Sequence, residues 1–357
     1  MPSILLFTTR DGMATLPCTL AAFERLRLPP GTRIVAVDNA SRDGSGALLR
    51  QAAGRLPMTV IDAPVAGKNR ALNHALDRIA PWLDDAELVV VTDDDVVPRP
   101  DWLLRLHAAA RAAPRADLFG GSIVPVWQAP PPGWLTAMPG AFAVLFAVTD
   151  AREGPCSARE IYGPNMAVRG RLLAAGARFE PGIGPDGTKR FGMGSESEFL
   201  RRMERLGHRA YFCAGALVGH QVEPGQMTQA SVIARANRYG YGLALMDRQS
   251  VSRSHLAAPA LARWAERELK ALGAMLPFWA ERRFGTRYAR EIRRGYLRAL
   301  LGGPALPPWP AAAAMQASPK APTRIRAARR LRALLDPQAA DALLGSMPPQ
   351  SAVRRSR

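Results

Sequence analysis

The sequence predicts an α/β fold with a mainly parallel sheet flanked by helices and a C-terminal helical extension. Three observations lead to this prediction. Apolar, β-branched stretches alternate with helix-like stretches through the first 113 residues, which is typical of parallel strands joined by crossover helices. Polar clusters follow several of the apolar stretches. From residue 226 onward the pattern becomes helical and basic.

The alternation starts with a continuously apolar or β-branched stretch, which indicates a buried strand. In chain order we predict strands at 3–9, 33–37, 59–63 and 87–92, and helices at 14–26, 44–53, 67–80 and 100–113. Residues 120–225 depart from this pattern. They contain Pro- or Gly-rich loops at 130–133 and 181–194, a segment at 161–169, a helix at 197–206 and a strand near 209–213.

The charge is distributed unevenly and suggests a division of the chain. Residues 1–225 hold 25 Lys and Arg against 23 Asp and Glu, whereas residues 226–357 hold 23 against 7, a net charge of +16. We predict an α/β domain at 1–225, a basic helical extension at 226–302, and a Pro/Ala-rich linker with a basic, partly disordered tail at 303–357. Such asymmetry indicates an anionic partner, lipid head groups or nucleic acid, or only a codon usage rich in Arg and Ala.

Cysteine usage and hydropathy indicate a cytoplasmic protein that is soluble or peripheral on a membrane. The three cysteines are far apart and have no CxxC spacing, so neither a zinc site nor a disulfide framework is expected. No signal peptide is recognisable at the N-terminus. The longest apolar stretch, 134–148, contains Pro139 and Gly140 and is too short to span a bilayer.

Three adjacent carboxylates follow the predicted strand at 87–92. Asp93, Asp94 and Asp95 would repel one another unless a cation neutralised them, and hard oxygen ligands suit Mg²⁺ or Mn²⁺. The alternative is a solvated acidic turn. Because open α/β sheets bind ligands at the carboxyl ends of their strands, this cluster should lie near Thr8 and Arg10 and near Asp38.

Several motifs, in order and spacing, resemble the inverting, bacterial GT-A glycosyltransferases of family 2. The resemblance covers roughly residues 3–240. The motifs are Asp38-Asn39-Ala40-Ser41, Gly67-Lys68-Asn69-Arg70-Ala71-Leu72-Asn73, Asp93–Asp95, Gly163-Pro164-Asn165-Met166-Ala167-Val168-Arg169, Gly194-Ser195-Glu196-Ser197-Glu198-Phe199-Leu200 and Ala216-Leu217-Val218-Gly219-His220. The resemblance implies a GT-A, Rossmann-like catalytic domain.

The resemblance also implies a nucleotide-sugar site. Asp38 would bind the base or the ribose, which by the usual pattern of the family favours a uridine-type donor. Gly163 and Asn165 would border the donor sugar. For Asn39 and Ser41 we prefer a capping or turn role. The residues expected to bind the nucleotide sugar are Thr8, Arg10, Asp38, Lys68, Arg70, Asp93, Asp94, Gly163 and Asn165.

By the same resemblance, Asp95 would hold Mg²⁺ or Mn²⁺ and His220 would complete the metal shell, unless His220 is purely structural. Glu196 occupies the position of the catalytic base, which would remove the proton of the acceptor hydroxyl. The alternative for this segment is a helix cap in which Ser195 or Ser197 is the N-cap.

The implied partners are a nucleotide-sugar donor and a saccharide or lipid-linked acceptor in cell-surface polysaccharide or glycolipid synthesis. The apolar interruption at 271–280 between basic segments suits an anionic membrane surface, or helices that pack on the catalytic domain. Trp127 and Trp134 could stack on an acceptor sugar or pack in the core. The competing functions are a sugar-phosphate nucleotidylyltransferase, which would need more glycines in the first loop, and a basic nucleic-acid-binding protein, for which no motif is present.

Overall fold

A computed structural model describes residues 2–83, 86–188, 190–249 and 280–303. Its strands are β1 (Ser3–Thr9), β2 (Arg33–Asp38), β3 (Met58–Asp62), β4 (Leu88–Thr92), β5 (Val96–Pro98), β6 (Leu118–Trp127), β7 (Gly154–Cys156), β8 (Met166–Arg169) and β9 (Ala210–Val222). Its α-helices are α1 (Leu16–Phe23), α2 (Ser45–Ala53), α3 (Lys68–Arg78), α4 (Ala80–Leu83), α5 (Trp102–Ala112), α6 (Gly133–Thr136), α7 (Phe142–Phe146), α8 (Gly170–Ala174), α9 (Ser195–Arg205), α10 (Gln229–Arg248) and α11 (Ala280–Leu300). The elements predicted within the first 113 residues are all present.

One half of the sheet is parallel, as the alternation predicts. Strands β3, β2, β1 and β4 lie side by side in that order and run in the same direction. All seven residues of β1 are buried, because helices cover both faces of the sheet and leave no solvated side. The carboxyl ends of β1, β2 and β4 therefore meet at one edge.

The other half is mixed, so the predicted α/β sheet is confirmed but is less parallel than we expected. Strand β8 runs antiparallel to both β4 and β6, β6 runs parallel to β9, and β5 and β7 pair antiparallel with β9. β6 was not predicted, because Gly120, Gly121 and Pro125 weaken its strand pattern.

Two apolar layers hold the helices on the sheet. Along β1 the side chains alternate between them: Ile4 and Leu6 pack with α3 and α9, whereas Leu5 and Phe7 pack with α1, α2 and α5. This alternation is the period of two that a strand imposes. Trp102, at the start of α5, is fully buried and anchors the second layer, and burying a large apolar side chain contributes about 1.5–3 kcal/mol.

The C-terminal helices pack on the α/β domain, which confirms a helical extension in the described residues. A Cβ added at Gly240 of α10 would collide with the backbone of Ile292, and one at Gly295 of α11 with that of Asn237. Glycine therefore lets the two helices approach closely. With α7 they enclose an apolar cluster in which Trp127 and Trp134 are packed, so the core-packing interpretation holds for both tryptophans.

No helix among the described ranges is long and apolar enough to cross a membrane. The apolar interruption at 271–280 apart from its last residue, the linker at 303–323 apart from its first, and the predicted basic helix at 324–345 lie outside the described residues.

Candidate active site

A cavity of about 360 Å³ opens at the carboxyl edge of the parallel strands. Its lining includes six residues predicted from the sequence, Thr8, Arg10, Lys68, Asp93, Asp94 and Asp95, and five that were not, Asn39, Gly67, Pro185, Gly187 and Thr188. The convergence of strand ends thus brings most of the predicted nucleotide site together.

A larger depression of about 560 Å³ lies at the opposite edge of the sheet. Its lining includes Asp117, which directly precedes β6, and His208, which lies two residues before β9. Asp117 is already paired with Arg171 and with His208 Nδ1, the latter at 2.9 Å. The carboxylate of Asp117 is thus satisfied within the protein, and we assign this depression no chemistry.

The loops after β1 and β2 are tied together at the rim of the cavity. The Asp11 backbone N–H donates to Ser41 Oγ at 3.2 Å, and the Arg42 N–H donates to Asp11 Oδ1 at 2.7 Å. Asp11 and Ala40 both adopt positive φ, 53° and 56°, which is uncommon for residues other than glycine and persists only where surrounding contacts hold it. The rim is therefore a preformed structure.

Within this rim, the structure separates Asp38 from its neighbour. Asp38 Oδ1 accepts the Ser41 N–H at 3.0 Å in a local turn, and Asp38 is not among the residues that line the cavity. Asn39 lines it instead, with its Oδ1 accepting the Gly67 N–H at 3.2 Å. The two positions thus exchange the locations we expected for them, and a contact of Asp38 with the nucleotide stays a prediction.

The Gly-rich loop at 181–194 forms one wall of the cavity, because hydrogen bonds from α3 hold it there. The Asn69 amide donates to the carbonyls of Glu180 and Ile183 at 2.7 and 2.8 Å. Asn73 exchanges two hydrogen bonds with the Phe179 backbone, at 2.8 and 2.9 Å. These asparagines belong to the Gly67–Asn73 motif but were assigned no role, and only their spacing of one helical turn could have revealed it.

Arg70, the other predicted cation of this motif, is exposed and does not line the cavity. Its neighbour Lys68, in contrast, connects two parts of the site. Its ammonium pairs with Asp93 and lies 2.5 Å from Glu196 Oε1. Burial alone would lower the pKa of Lys68, but Asp93 and Glu196 raise it, so its positive charge is secure.

Asp93 and Asp94 are unusual carboxylates because they are buried together. Burial raises the pKa of Asp93 despite the opposing charge of Lys68. Burial, together with the neighbouring Asp95, raises the pKa of Asp94 to about 7. The Thr9 hydroxyl donates to Asp94. Asp94 therefore exchanges a proton near neutrality. The pKa of Asp95, in contrast, is lowered.

Asp95 faces His220 across the pairing of β5 with β9. His220 Nε2 lies 3.1 Å from Asp95 Oδ2, and its Nδ1 donates to the Phe146 carbonyl at 2.7 Å. Burial alone would raise the pKa of Asp95, but His220 holds it below its ordinary value. Burial alone would lower the pKa of His220, but Asp95 raises it. This mutual stabilisation places a negative charge at Asp95.

The arrangement fits a divalent cation held jointly with a ligand. Asp95 Oδ1 is buried without a hydrogen-bond partner in the described chain, which is the kind of atom that a cation satisfies. The Phe146 carbonyl fixes the Nδ1 proton of His220, so Nε2 can coordinate a metal. No three His, Cys, Asp or Glu side chains of the described ranges are placed to hold a metal by themselves, so a bound ligand would supply the remaining oxygens.

Glu196 sits in the first turn of α9 with 12% of its side chain exposed. The helix has Gly194 as its N-cap, and no side chain caps it, so the capping alternative for Ser195 and Ser197 is wrong. Gly163 lies directly against Glu196: a Cβ at that position would be 2.7 Å from the carboxyl carbon. Glu196 is thus fixed between Gly163 and Lys68.

Asn165, expected to border the donor sugar, is a structural residue here. It is fully buried, its amide donates to the carbonyls of Ser122 and Ala216 at 3.0 and 2.7 Å, and its oxygen accepts the Trp102 indole N–H at 2.9 Å. Because both amide hydrogens are used within the protein, Asn165 supports the strands behind the site rather than a ligand.

A family model matches more than half of the chain. Residues 13–242 match the family model described as "Glycosyltransferase like family 2". A curated glucosyl-dolichyl phosphate glucuronosyltransferase from Haloferax volcanii is 24% identical over 182 residues, which span 50% of this chain and 57% of that protein. Among solved structures, S. aureus TarS in complex with UDP-GlcNAc gives a TM-score of 0.48 at 13% identity, covering 85% of this chain and 93% of that one. The mannosyltransferase PcManGT from Pyrobaculum calidifontis, in complex with GDP-Man and Mn²⁺, gives 0.47 at 18% identity, covering 96% and 83%.

Proposed function

The chain belongs to glycosyltransferase family 2, and from this membership we propose that it is a metal-dependent, inverting enzyme that moves a sugar from a nucleotide-sugar donor to a saccharide or lipid-linked acceptor. The proposed setting is the synthesis of cell-surface polysaccharide or glycolipid. The membership confirms the glycosyltransferase class and GT-A fold that the resemblance implied. It replaces the nucleotidylyltransferase and nucleic-acid-binding alternatives.

One observation carries the proposal. Lys68 joins Asp93, in the cavity that suits a nucleotide, to Glu196, which lies outside the lining of that cavity. The ammonium group of Lys68 therefore contacts both the carboxylate that would hold the donor and the carboxylate that would activate the acceptor. The reacting carbon of the donor would lie between these two carboxylates.

Glu196 has the features that a general base needs. It is a carboxylate in a largely enclosed position, held by Lys68 and by the close approach of Gly163. We propose that one of its oxygens takes the proton of the acceptor hydroxyl as that oxygen attacks the anomeric carbon. The bond to the diphosphate breaks in the same displacement, so the anomeric configuration inverts.

A divalent cation would be held by Asp95 and His220 together with the donor diphosphate, and when bound it would act as a Lewis acid that neutralises the leaving group. Thr8, Arg10, Lys68, Asp93 and Asn39 would bind the nucleotide. We further propose a UDP-linked donor. The structures of TarS with UDP-GlcNAc and of PcManGT with GDP-Man make uridine and guanosine donors the first two to compare.

We also propose that the protein acts in the cytoplasm, on the inner face of the membrane, through its basic C-terminal region. The support is the net charge of +16 in residues 226–357. Each Lys or Arg near an anionic lipid surface contributes about 1 kcal/mol of attraction. Binding to anionic vesicles that is lost at high salt is the expected behaviour.

The close contact of Gly163 gives a prediction for the proposed base. In Gly163→Ala, the added methyl group would displace the carboxyl group of Glu196, and a misplacement of about 1 Å can cost on the order of 100-fold in rate. We expect kcat to fall by about 10- to 100-fold while the affinity for nucleoside diphosphate changes little. Gly225→Ala, where a Cβ meets open space, is the matched control. Equal rates for the two variants would contradict the placement of Glu196.

Nucleotide binding is the experiment that tests the proposed function. We expect UDP or GDP, with Mn²⁺ or Mg²⁺, to raise the melting temperature, because a ligand at 100 times its Kd stabilises the folded state by about 2.7 kcal/mol. Chelation by EDTA should reduce the shift. If no nucleoside diphosphate shifts the melting temperature with either metal, the proposal fails.

A further inference from the structure

Strand β9 carries two consecutive buried polar residues near its end. His220 and Gln221 are 6% and 4% exposed, and successive side chains of a strand point to opposite faces of the sheet. His220 faces the Asp95 carboxylate and belongs to the proposed cation site. Gln221 faces α1 on the other side. A buried amide is tolerated only when it is hydrogen-bonded, so the partners of Gln221 show what it does.

The amide of Gln221 joins β9 to the start of α1. Its Nε2 donates to the Thr15 carbonyl and to the Thr19 hydroxyl oxygen, each at 3.2 Å. A carbonyl oxygen can only accept, so the nitrogen end of the amide faces α1. The Thr19 hydroxyl in turn donates its own hydrogen to the Asp94 carbonyl at 2.9 Å, since the Thr15 carbonyl is farther away at 3.5 Å. A chain of hydrogen bonds therefore runs from β9 through α1 to the acidic turn.

The backbone of Gln221 holds the same turn one residue further on. Its N–H donates to the Asp95 carbonyl at 2.8 Å. The carbonyls of Asp94 and Asp95 belong to the two peptide units that flank the Cα of Asp95. Because each of these peptide units is hydrogen-bonded, one to Thr19 and the other to Gln221, the direction of the bond from Cα to Cβ in Asp95 is fixed.

These hydrogen bonds lie in apolar surroundings. Val126 is the partner of Gln221 in the pairing of β6 with β9, and it packs with Cys18 of α1 against an apolar cluster. Thr19 itself is fully buried. A hydrogen bond is stronger in such surroundings than in water, and an unpaired carbonyl is correspondingly costly. Loss of the Thr19 hydroxyl would therefore displace the turn.

We propose that Thr19 and Gln221 are positioning residues, which hold the Asp93–Asp95 turn so that Asp95 Oδ1 is presented to a divalent cation. This inference rests on the proposed function and deepens it by naming the residues that orient the cation ligand. Neither side chain lines the donor cavity, so each acts through the turn. His220 holds the carboxylate of Asp95 from one face of β9, while Gln221 holds its backbone from the other.

Titration of the full-length chain with Mn²⁺ in the presence of UDP or GDP, followed by calorimetry, tests the proposal. Thr19→Val removes the hydroxyl and keeps the shape of the side chain, whereas Thr19→Ser keeps the hydroxyl and removes a buried methyl group. Thr32→Val is the matched control. The Thr32 hydroxyl is also buried and donates to the Pro29 carbonyl at 2.6 Å, but it lies just before β2, at the end of the sheet away from the site.

We expect Thr19→Val to weaken Mn²⁺ binding by about 10- to 100-fold, the usual effect of losing an outer contact of a metal ligand. Thr19→Ser and Thr32→Val should bind Mn²⁺ within about twofold of the native chain. Thr19→Ser should nevertheless melt about 2–4 °C lower, because a buried methyl group is lost. Metal affinity and stability then change independently. Native Mn²⁺ affinity in Thr19→Val, or an equal loss in Thr19→Ser or Thr32→Val, overturns the proposal.

Gln221→Met, which keeps the length of the side chain but lacks the amide, tests whether the two residues act together. Because Gln221 acts on the turn through Thr19, the double variant should lose no more Mn²⁺ affinity than the weaker-binding single variant. A loss equal to the product of the two single losses would overturn the chain of hydrogen bonds. A native chain that binds no Mn²⁺ with either nucleotide would contradict the proposed function together with this inference, whereas native binding that Thr19→Val leaves unchanged would contradict the positioning role alone.

Discussion

Replacing Glu196 by Gln should lower the transfer rate by about 10²- to 10⁴-fold and leave the affinity for nucleoside diphosphate within about twofold. Glutamine fills the same space against Gly163, but it cannot accept the proton of the acceptor hydroxyl. Lys68 still pairs with Asp93, so the nucleotide side of the site is kept. The measurement is kcat at saturating donor, together with the Kd for the nucleoside diphosphate.

Glu198→Gln on the same helix is the matched control. Glu198 is 1% exposed and makes two hydrogen bonds to Arg202, so its role is structural. Breaking this pair should lower the melting temperature by several degrees, because one kcal/mol corresponds to about 2–4 °C for a domain of this size. The rate per folded molecule should change by less than about threefold. A larger loss of rate at Glu198 than at Glu196 would exclude Glu196 as the base.

Replacing Asp95 by Asn should lower kcat/KM on the order of 10³-fold and remove the response to added Mn²⁺ or Mg²⁺. A bound cation supplies several kcal/mol of charge stabilisation to the leaving group, and each 1.36 kcal/mol is a factor of ten in rate. Asp95 Oδ1 is buried without a hydrogen-bond partner among the described residues. The rate measured against metal concentration, with EDTA as the zero point, reports the effect.

Asp94→Asn is the comparison that makes this result specific. The pKa of Asp94 is about 7, and its carboxyl group accepts a hydrogen bond from the Thr9 hydroxyl. An amide oxygen can accept the same bond, and near neutrality the carboxyl group is already partly uncharged. We therefore expect less than about a tenfold loss and an unchanged metal response. A metal response that survives in Asp95→Asn but disappears in Asp94→Asn would move the proposed cation from Asp95 to its neighbour.

Much of the site could be predicted because strand ends converge. The residues after β1 and β4, and Lys68 at the start of α3, lie far apart in sequence but meet at one edge of the sheet. The alternation of strands and helices was sufficient to locate that edge. The ion pair of Lys68 with Glu196 was not predictable, because it depends on how α9 packs across the mixed half of the sheet.

Other positions differ from our expectation because a motif does not state where its side chains point. Asp38 and Asn39 are adjacent, and the turn after β2 directs the first into a local hydrogen bond and the second towards the cavity. Asn165 belongs to a recognisable motif, yet its amide group joins the backbone carbonyls of Ser122 and Ala216 to the Trp102 indole.

Turnover of a nucleotide-sugar panel tests the central claim most directly. Purified chain would be incubated with UDP- and GDP-linked sugars and a lipid or saccharide acceptor extract, with Mn²⁺ or Mg²⁺ and then with EDTA, and released nucleoside diphosphate would be measured. The account predicts metal-dependent release from one donor, lost in Glu196→Gln and in Asp95→Asn but retained in Asp94→Asn. Release that continues undiminished in EDTA or in Glu196→Gln would contradict it.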